Sequence, residues 1–480
     1  MLKLSLSPSF IRQSLAGHSW VGLTVSALMY LVCLTGIPVV FMFELGRWEQ
    51  PAMEMQQSFN NSMLTTAYEN VITDNPRYEG AVYLDIPRPD LPRLMVSTSN
   101  ETWLVNDDGS LADRIMHPFI DQLIALHVHL HLPRTIGVII VAILGVLLCS
   151  LIVSGVAAHP RIFKDAFKWR TGSNGHLQHA DLHNRLSVWN LPFQLLIAIS
   201  GAFFGVYNFA LLAVAHTHNE GNFQEILGTI YGQGVQVESS VKTPDFARAL
   251  DSLKTVNPEA QPFMLTVEQV NTEQQLIMIS AKLPERLIYA EEYYFTTQGT
   301  FLEKQGFSDG PSARQVLFSI HSLHLGDFGG LWIKMLYAVL GLGMTVVCAS
   351  GFNIYLARRK RVDWLNNLWP GLVWGAPLAI IISALFQVIA GIPGAPLLWL
   401  SLLSIVAYAH WINNPGRIIS RLQRGCAFLI VVLVGAYCLK FGEATFNVLP
   451  ITVNLILIIC SLGLYIRSRS HFRTAETSTG

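Results

Sequence analysis

Residues 126–157 read "LHVHLHLPRTIGVIIVAILGVLLCSLIVSGVA". From Thr135 to Ala157 the run carries no charged residue. As a helix it is long enough to cross a hydrocarbon core of about 30 Å. Just ahead of it, His127, His129 and His131 stand at alternate positions. The run raises two questions: how often the chain crosses a membrane, and what the imidazoles are for.

Outward from this segment, apolar runs recur at about 20–43, 186–213, 331–356, 368–390, 397–411, 426–440 and 448–465. With 135–157 they make eight expected spans. The composition agrees: 51% of residues are hydrophobic and 13% charged, against about 25% charged in a soluble chain. The first run is too long for a signal-peptide core and reads as a retained anchor. None of the six cysteines forms C-x-x-C or C-x-x-C-H, which argues against a disulfide framework, a zinc ribbon and a covalently attached haem.

Positive charge orients the spans. Arg161, Lys164, Lys168, Arg170 and Arg185, the run "ARRKR" at 357–361, Arg417, Arg421 and Arg424, and "RSRSHFR" at 467–473 fall on one side if eight helices alternate. By the positive-inside rule that side is the cytoplasm, so both termini are expected there. The long polar segments 44–125 and 216–320 then lie outside. Each reads as one helix followed by short strands: "SMLTTAYENVITDNP" then "GAVYLDI", "RLMVST" and "TWLVNDDGS", and "PDFARALDSLKTVNP" then "PFMLTVEQV", "QLIMISA" and "EYYFTTQGTF". The expectation is a small antiparallel sheet in each.

The pattern of helix, outside module, helix is used twice. His18 precedes Thr35-Gly36 and His183 precedes Ser200-Gly201, each histidine 18 residues ahead of its glycine. Ser154-Gly155 and Ser350-Gly351 close the second and fourth spans, and "LHL" at 130–132 matches "LHL" at 323–325. The expected fold is mainly α and polytopic, with two small α+β modules. Its parts are 1–43, the module 44–125, 126–215, the module 216–320, 321–362, and a four-helix extension 363–480.

Ionisable groups at membrane depth mark function by default. His18, His159 and His183 fall in the inner layer, and His127, His131, His321 and His324 in the outer one. On a helix His127 and His131 share a face; on a strand all three of the run would, which suits a metal ion. Equivalent histidines of the two halves are expected to meet, His18 with His183 and His131 with His324, each pair able to grip a flat cofactor between helices. His159 is an alternative partner in the inner layer. Haem iron accepts two axial imidazoles, and that ligation suits electron transfer. The layers should stand on the order of 20 Å apart along a helix rising ~1.5 Å per residue. Asp181 is placed to orient the His183 imidazole or to cap its helix.

The motifs "HSWVGLTVSALMYLVCLTG", "LHVHLHLPRTIG", "AAHPRIFKDAFKWR", "DLHNRLSVWNLPF" and "LHLGDFGG" resemble the PepSY-associated transmembrane helix family, over about residues 10–360. That family includes inner-membrane ferric-siderophore reductases and iron-regulated membrane proteins. The resemblance implies PepSY-like outside modules and two non-covalent b-type haems. It also implies electron transfer across the bacterial inner membrane to a periplasmic ferric siderophore or other ferric chelate. By motif, His18, His127 or His131, His183 and His324 are the candidate ligands. No dinucleotide fingerprint follows a strand, so the electron donor is expected to be a separate cytoplasmic reductase or quinol. Lipid is the other expected partner, and nucleic acid is not one. Rival readings are a metal or siderophore transporter, or a non-enzymatic binding protein built on the modules.

Overall fold

The computed structural model describes residues 7–53, 55–56, 58–116, 118–159, 161–167, 175–218, 222, 228, 230, 235, 237, 243–309, 312–359 and 361–477. Lys168 and Arg170 of the charge pattern, and most of the chain between 219 and 242, lie outside them. The chain forms two compact units: Met1–Ala52 with His117–Val206 and Leu331–Gly480, and Met53–Met116 with Tyr207–Gly330.

The first unit is helical. α1 (Pro8–Val39) starts where the Ser7 hydroxyl accepts the Phe10 N–H and Pro8 takes the first turn, and it stops just past Pro38. α2 (Met42–Glu49) follows. After the other unit's first segment come α4 (Pro118–His129), α5 (Arg134–Ala158), the single turn α6 (Ile162–Asp165), α7 (Gly175–Trp189) and α8 (Leu191–His218). The unit closes with α11 (Gly330–Arg358), α12 (Leu365–Ala384) extended by a π-turn at Leu385–Ile389, α13 (Gly394–Ile412), α14 (Pro415–Phe441) and α15 (Val448–Thr477). Seven described helices are long and apolar enough to span, or eight if α7 and α8 count as one span.

That pair departs from the expected straight third span. It bends by 71° at the break between Trp189 and Leu191. The cause is Pro192, which lacks the N–H of a helix interior and restrains Leu191 before it. Buried Asn190 fills the gap, its Nδ2 donating to the Leu340 carbonyl at 2.6 Å.

α2 and α4, which the sequence reading leaves in the first outside segment, pack with the membrane helices instead. Trp48 stacks on Tyr437 at 4.7 Å, donates its indole N–H to Asn454 at 3.0 Å, and accepts the Tyr437 hydroxyl on its carbonyl at 2.7 Å. Glu49 accepts the first free N–H groups of α4, from Phe119 at 2.9 Å and Ile120 at 2.8 Å. Tyr30, Leu31, Leu126 and Leu130 share one core with Trp369, Leu398 and Leu402 of the C-terminal extension.

The second unit is α+β: α3 (Asn61–Asp74), α9 (Phe246–Val256), α10 (Ser312–Leu325) and strands β1 (Val82–Asp85), β2 (Met95–Ser97), β3 (Thr102–Val105), β4 (Leu111–Arg114), β5 (Gln261–Glu268), β6 (Leu276–Lys282), β7 (Glu291–Thr296) and β8 (Phe301–Gln305). Each module repeats one helix followed by four strands. The two expected sheets are one continuous antiparallel sheet, ordered β4-β3-β2-β1-β5-β6-β7-β8. The join is β1 on β5, with Val82 opposite Val267 and Leu84 opposite Leu265, all fully buried. A two-strand edge left open would be a template for association; each module covers the edge of the other. One core holds Leu64 and Ala67 of α3, Phe246 and Leu253 of α9, and the inward residues of both sheet halves.

Candidate functional site

In the membrane unit, α1 carries His18 and α7 carries His183 into contact. Their ring centres are 6.3 Å apart with planes crossed at 82°. Each ring is held in the same way. His18 Nδ1 lies 2.9 Å from the Leu151 carbonyl and 3.3 Å from the Ser154 hydroxyl. His183 Nδ1 lies 3.0 Å from the Val347 carbonyl and 3.2 Å from the Ser350 hydroxyl. A carbonyl can only accept, so Nδ1 carries the proton and Nε2 is the donor atom to a ligand. The glycine one turn past each carbonyl makes the seat: a Cβ on Gly155 would stand 3.1 Å from His18 Cε1, and one on Gly351 3.3 Å from His183 Cε1.

Both histidines line a largely apolar cavity of about 250 Å³ among α1, α5, α7, α8 and α11. His159, at the end of α5 and exposed, also lines it, as does Arg358. Gln194 lines it from α8 with its Nε2 buried and unpartnered.

Two imidazoles binding one iron through Nε2 from opposite sides place their ring centres about 6.3 Å apart. That sum takes metal–nitrogen bonds of about 2.0 Å and a ring-centre-to-nitrogen distance of about 1.15 Å. The observed 6.3 Å, the backbone-anchored Nδ1 atoms and the glycine cradles fit a haem held by His18 and His183. A backbone carbonyl on the distal ring nitrogen is the usual outer support of a metal-bound imidazole. Asp181 lies 4.0 Å from Arg185, one turn on in the same helix.

The same seat occurs a third time. His127 Nδ1 lies 2.9 Å from the Val32 carbonyl, and a Cβ on Gly36 would stand 3.0 Å from its Cε1. The shared pattern is a carbonyl, a hydroxyl residue three positions on and a glycine four on: Val32, Thr35 and Gly36; Leu151, Ser154 and Gly155; Val347, Ser350 and Gly351. The sequence reading took these pairs as repeat markers but missed their role. It also took His18 with the glycine of its own helix, whereas Gly36, Gly155 and Gly351 each seat a histidine of another helix. Between His18 and Val32, α1 runs 14 residues, about 21 Å of helix axis.

His131 is a correction. α4 ends at His129, and Leu130 and His131 both turn to φ 55°. His131 therefore does not share a helix face with His127. Both its nitrogens are taken: Nδ1 accepts the Trp399 indole N–H at 3.0 Å, and Nε2 donates to the Gln122 carbonyl at 2.8 Å. His129 turns back to the Leu132 carbonyl at 2.9 Å. The three alternate imidazoles do not converge. Among the described residues no group of three or more His, Cys, Asp or Glu is placed to hold a metal ion.

In the second unit, His321 and His324 lie on α10. The His321 ring packs on Tyr289 with centres 4.6 Å apart. Burial holds its pKa below the usual histidine value, with Asp327 opposing. His324 is the better match to His127: it stands 26 residues ahead of Ser350, and His127 stands 27 ahead of Ser154. Both sit at the last turn of their helix. The "LHL" alignment with His131 is off by one helical turn.

A bundle of apolar helices with a half-buried, backbone-anchored histidine pair, carrying an α+β insert in each half, defines a multi-pass membrane protein of duplicated design. The chain belongs to the PepSY-associated TM region family, matched over residues 15–358. It is also similar to an uncharacterized protein of Pseudomonas aeruginosa, 26% identical over 343 residues, which cover 68% of this chain and 83% of that one. The C-terminal extension lies beyond the family match.

Proposed function

We propose that this protein is a two-haem, b-type electron carrier of the bacterial inner membrane that reduces a periplasmic ferric chelate of the siderophore class. The observation that carries the reading is the 6.3 Å, crossed pairing of His18 and His183 with both Nδ1 atoms anchored on backbone carbonyls. A haem held by the imidazoles of His18 and His183 would supply a one-electron couple suited to electron transfer.

The chain's own residues do the rest. The Leu151 and Val347 carbonyls fix the tautomer of each imidazole and raise its basicity. The glycine seats let the rings lie against α5 and α11. The apolar wall keeps water from the site. His127, seated on the Val32 carbonyl, is the ligand of the second layer. The positive segments support a reading with both termini in the cytoplasm, in which the donor is a cytoplasmic reductase or quinol. Ferrous iron is held less firmly than ferric by hard oxygen ligands, so one-electron reduction releases it.

The test is a vesicle assay. Protein is reconstituted with a reductant inside and a ferric siderophore outside, and Fe(II) is read with a chromogenic chelator. Fe(II) should form with the intact protein and fall to the background of empty vesicles in His183→Ala. Haem-loaded protein that yields no Fe(II) from any ferric chelate overturns the reading.

A further inference from the structure

Between the two histidine layers, Cys33 of α1 faces Cys348 of α11, with sulfur atoms 3.9 Å apart. Neither is paired in a disulfide. Each stands one residue past the carbonyl of a histidine seat. Cys33 directly follows Val32, whose carbonyl anchors His127 at 2.9 Å. Cys348 directly follows Val347, whose carbonyl anchors His183 at 3.0 Å. A continuous route therefore runs from the His183 imidazole through a hydrogen bond to Val347, along the peptide to Cys348, and across the sulfur contact. From Cys33 it returns along the peptide to Val32 and through a second hydrogen bond to the His127 imidazole.

We propose that Cys33 and Cys348 form the link by which electrons pass between the inner and outer histidine layers. The inference rests on the haem reading above. Electron tunnelling falls off more steeply across gaps than along bonds and hydrogen bonds. This route has one through-space step, bridged by two large polarizable sulfur atoms. One electron leaves the inner layer and one arrives at the outer; no bond forms or breaks, and both thiols stay reduced throughout. The cysteines touch neither imidazole, so they are positioning residues for electron flow, not ligands.

The closing experiment uses the full-length, haem-loaded protein and Cys33→Ala/Cys348→Ala, with Cys149→Ala, off the route, as control. Electron transfer between the haems is followed by rapid-mixing or flash spectroscopy. The double variant should keep both haem spectra and both midpoint potentials yet slow this step several-fold; the control should not. A separate readout needs no haem. Copper–phenanthroline treatment of membranes should join Cys33 to Cys348, found as one cross-linked peptide by mass spectrometry. Unchanged transfer rates with intact spectra overturn the cysteine link and leave the haem reading standing. Absence of the cross-link overturns the link on its geometry, and protein without haem overturns both.

Discussion

A Cβ on Gly155 would press on a His18 ring carbon at 3.1 Å, closer than the ring can stay in its seat. Gly155→Val should therefore remove one haem and leave the other, measured as haem per chain by pyridine haemochrome. His131→Ala should retain both, because its nitrogens serve Trp399 and Gln122. Glu49, which caps the helix carrying His127, is pushed up by burial from 4.5 to about 7, against the pull of the Phe119 and Ile120 N–H groups. Its folded pKa is raised, so its share of stability is complete below pH 4.5 and is lost as pH rises through 7. The loss is on the order of 3 kcal/mol at ~1.4 kcal/mol per unit. The melting temperature of wild type should fall from pH 5 to pH 8 by more than that of Glu49→Gln. At this scale the sequence singled out histidines by their repeat positions but did not show how they turn. The i, i+4 spacing of His127 and His131 suggested a shared helix face, but Pro133 disfavours helix at Leu132, and that signal ends α4 before His131.

The helices were legible as apolar runs because their length is set by the bilayer. The duplication was legible as well, in hydroxyl–glycine pairs of which three, at Gly36, Gly155 and Gly351, admit an imidazole against a helix. The bend between α7 and α8 was masked by the apolar residues that continue on both sides of Asn190. Asn190→Leu removes the donor to the Leu340 carbonyl, a net loss of about 0.5–1.5 kcal/mol. It should lower the melting temperature and loosen the His183 haem ahead of the other. A charge pair also ties two elements together: Lys334 of α11 meets Glu44 of α2 at 2.7 Å, with the lysine side chain 7% exposed. Lys334→Met strands the carboxylate, and breaking a buried pair from one side costs roughly 3–5 kcal/mol. Lys334→Met/Glu44→Leu should recover most of the loss in detergent melting.

For the molecule as a whole, the sequence disclosed two modules but not their fusion into one sheet. Strand signals say which residues alternate, not which edge finds which, and the β1–β5 join depends on residues about 180 positions apart. The extension was legible as helices and silent as to role. Its Trp369, Leu398 and Leu402 cover Tyr30, Leu31, Leu126 and Leu130, and its Trp399 holds the turn after His127. A chain ending after Arg361 should keep the haem of His18 and His183 and hold the second less firmly, seen as a lower haem ratio. The most direct test of the account is the dithionite-reduced minus oxidised spectrum of the purified protein, with haem counted per chain, for wild type, His18→Ala and His127→Ala. The account predicts sharp b-type bands at about two haems per chain, and in each variant the loss of a different one. A colourless protein from haem-replete cells, or full haem content in both variants, would contradict it.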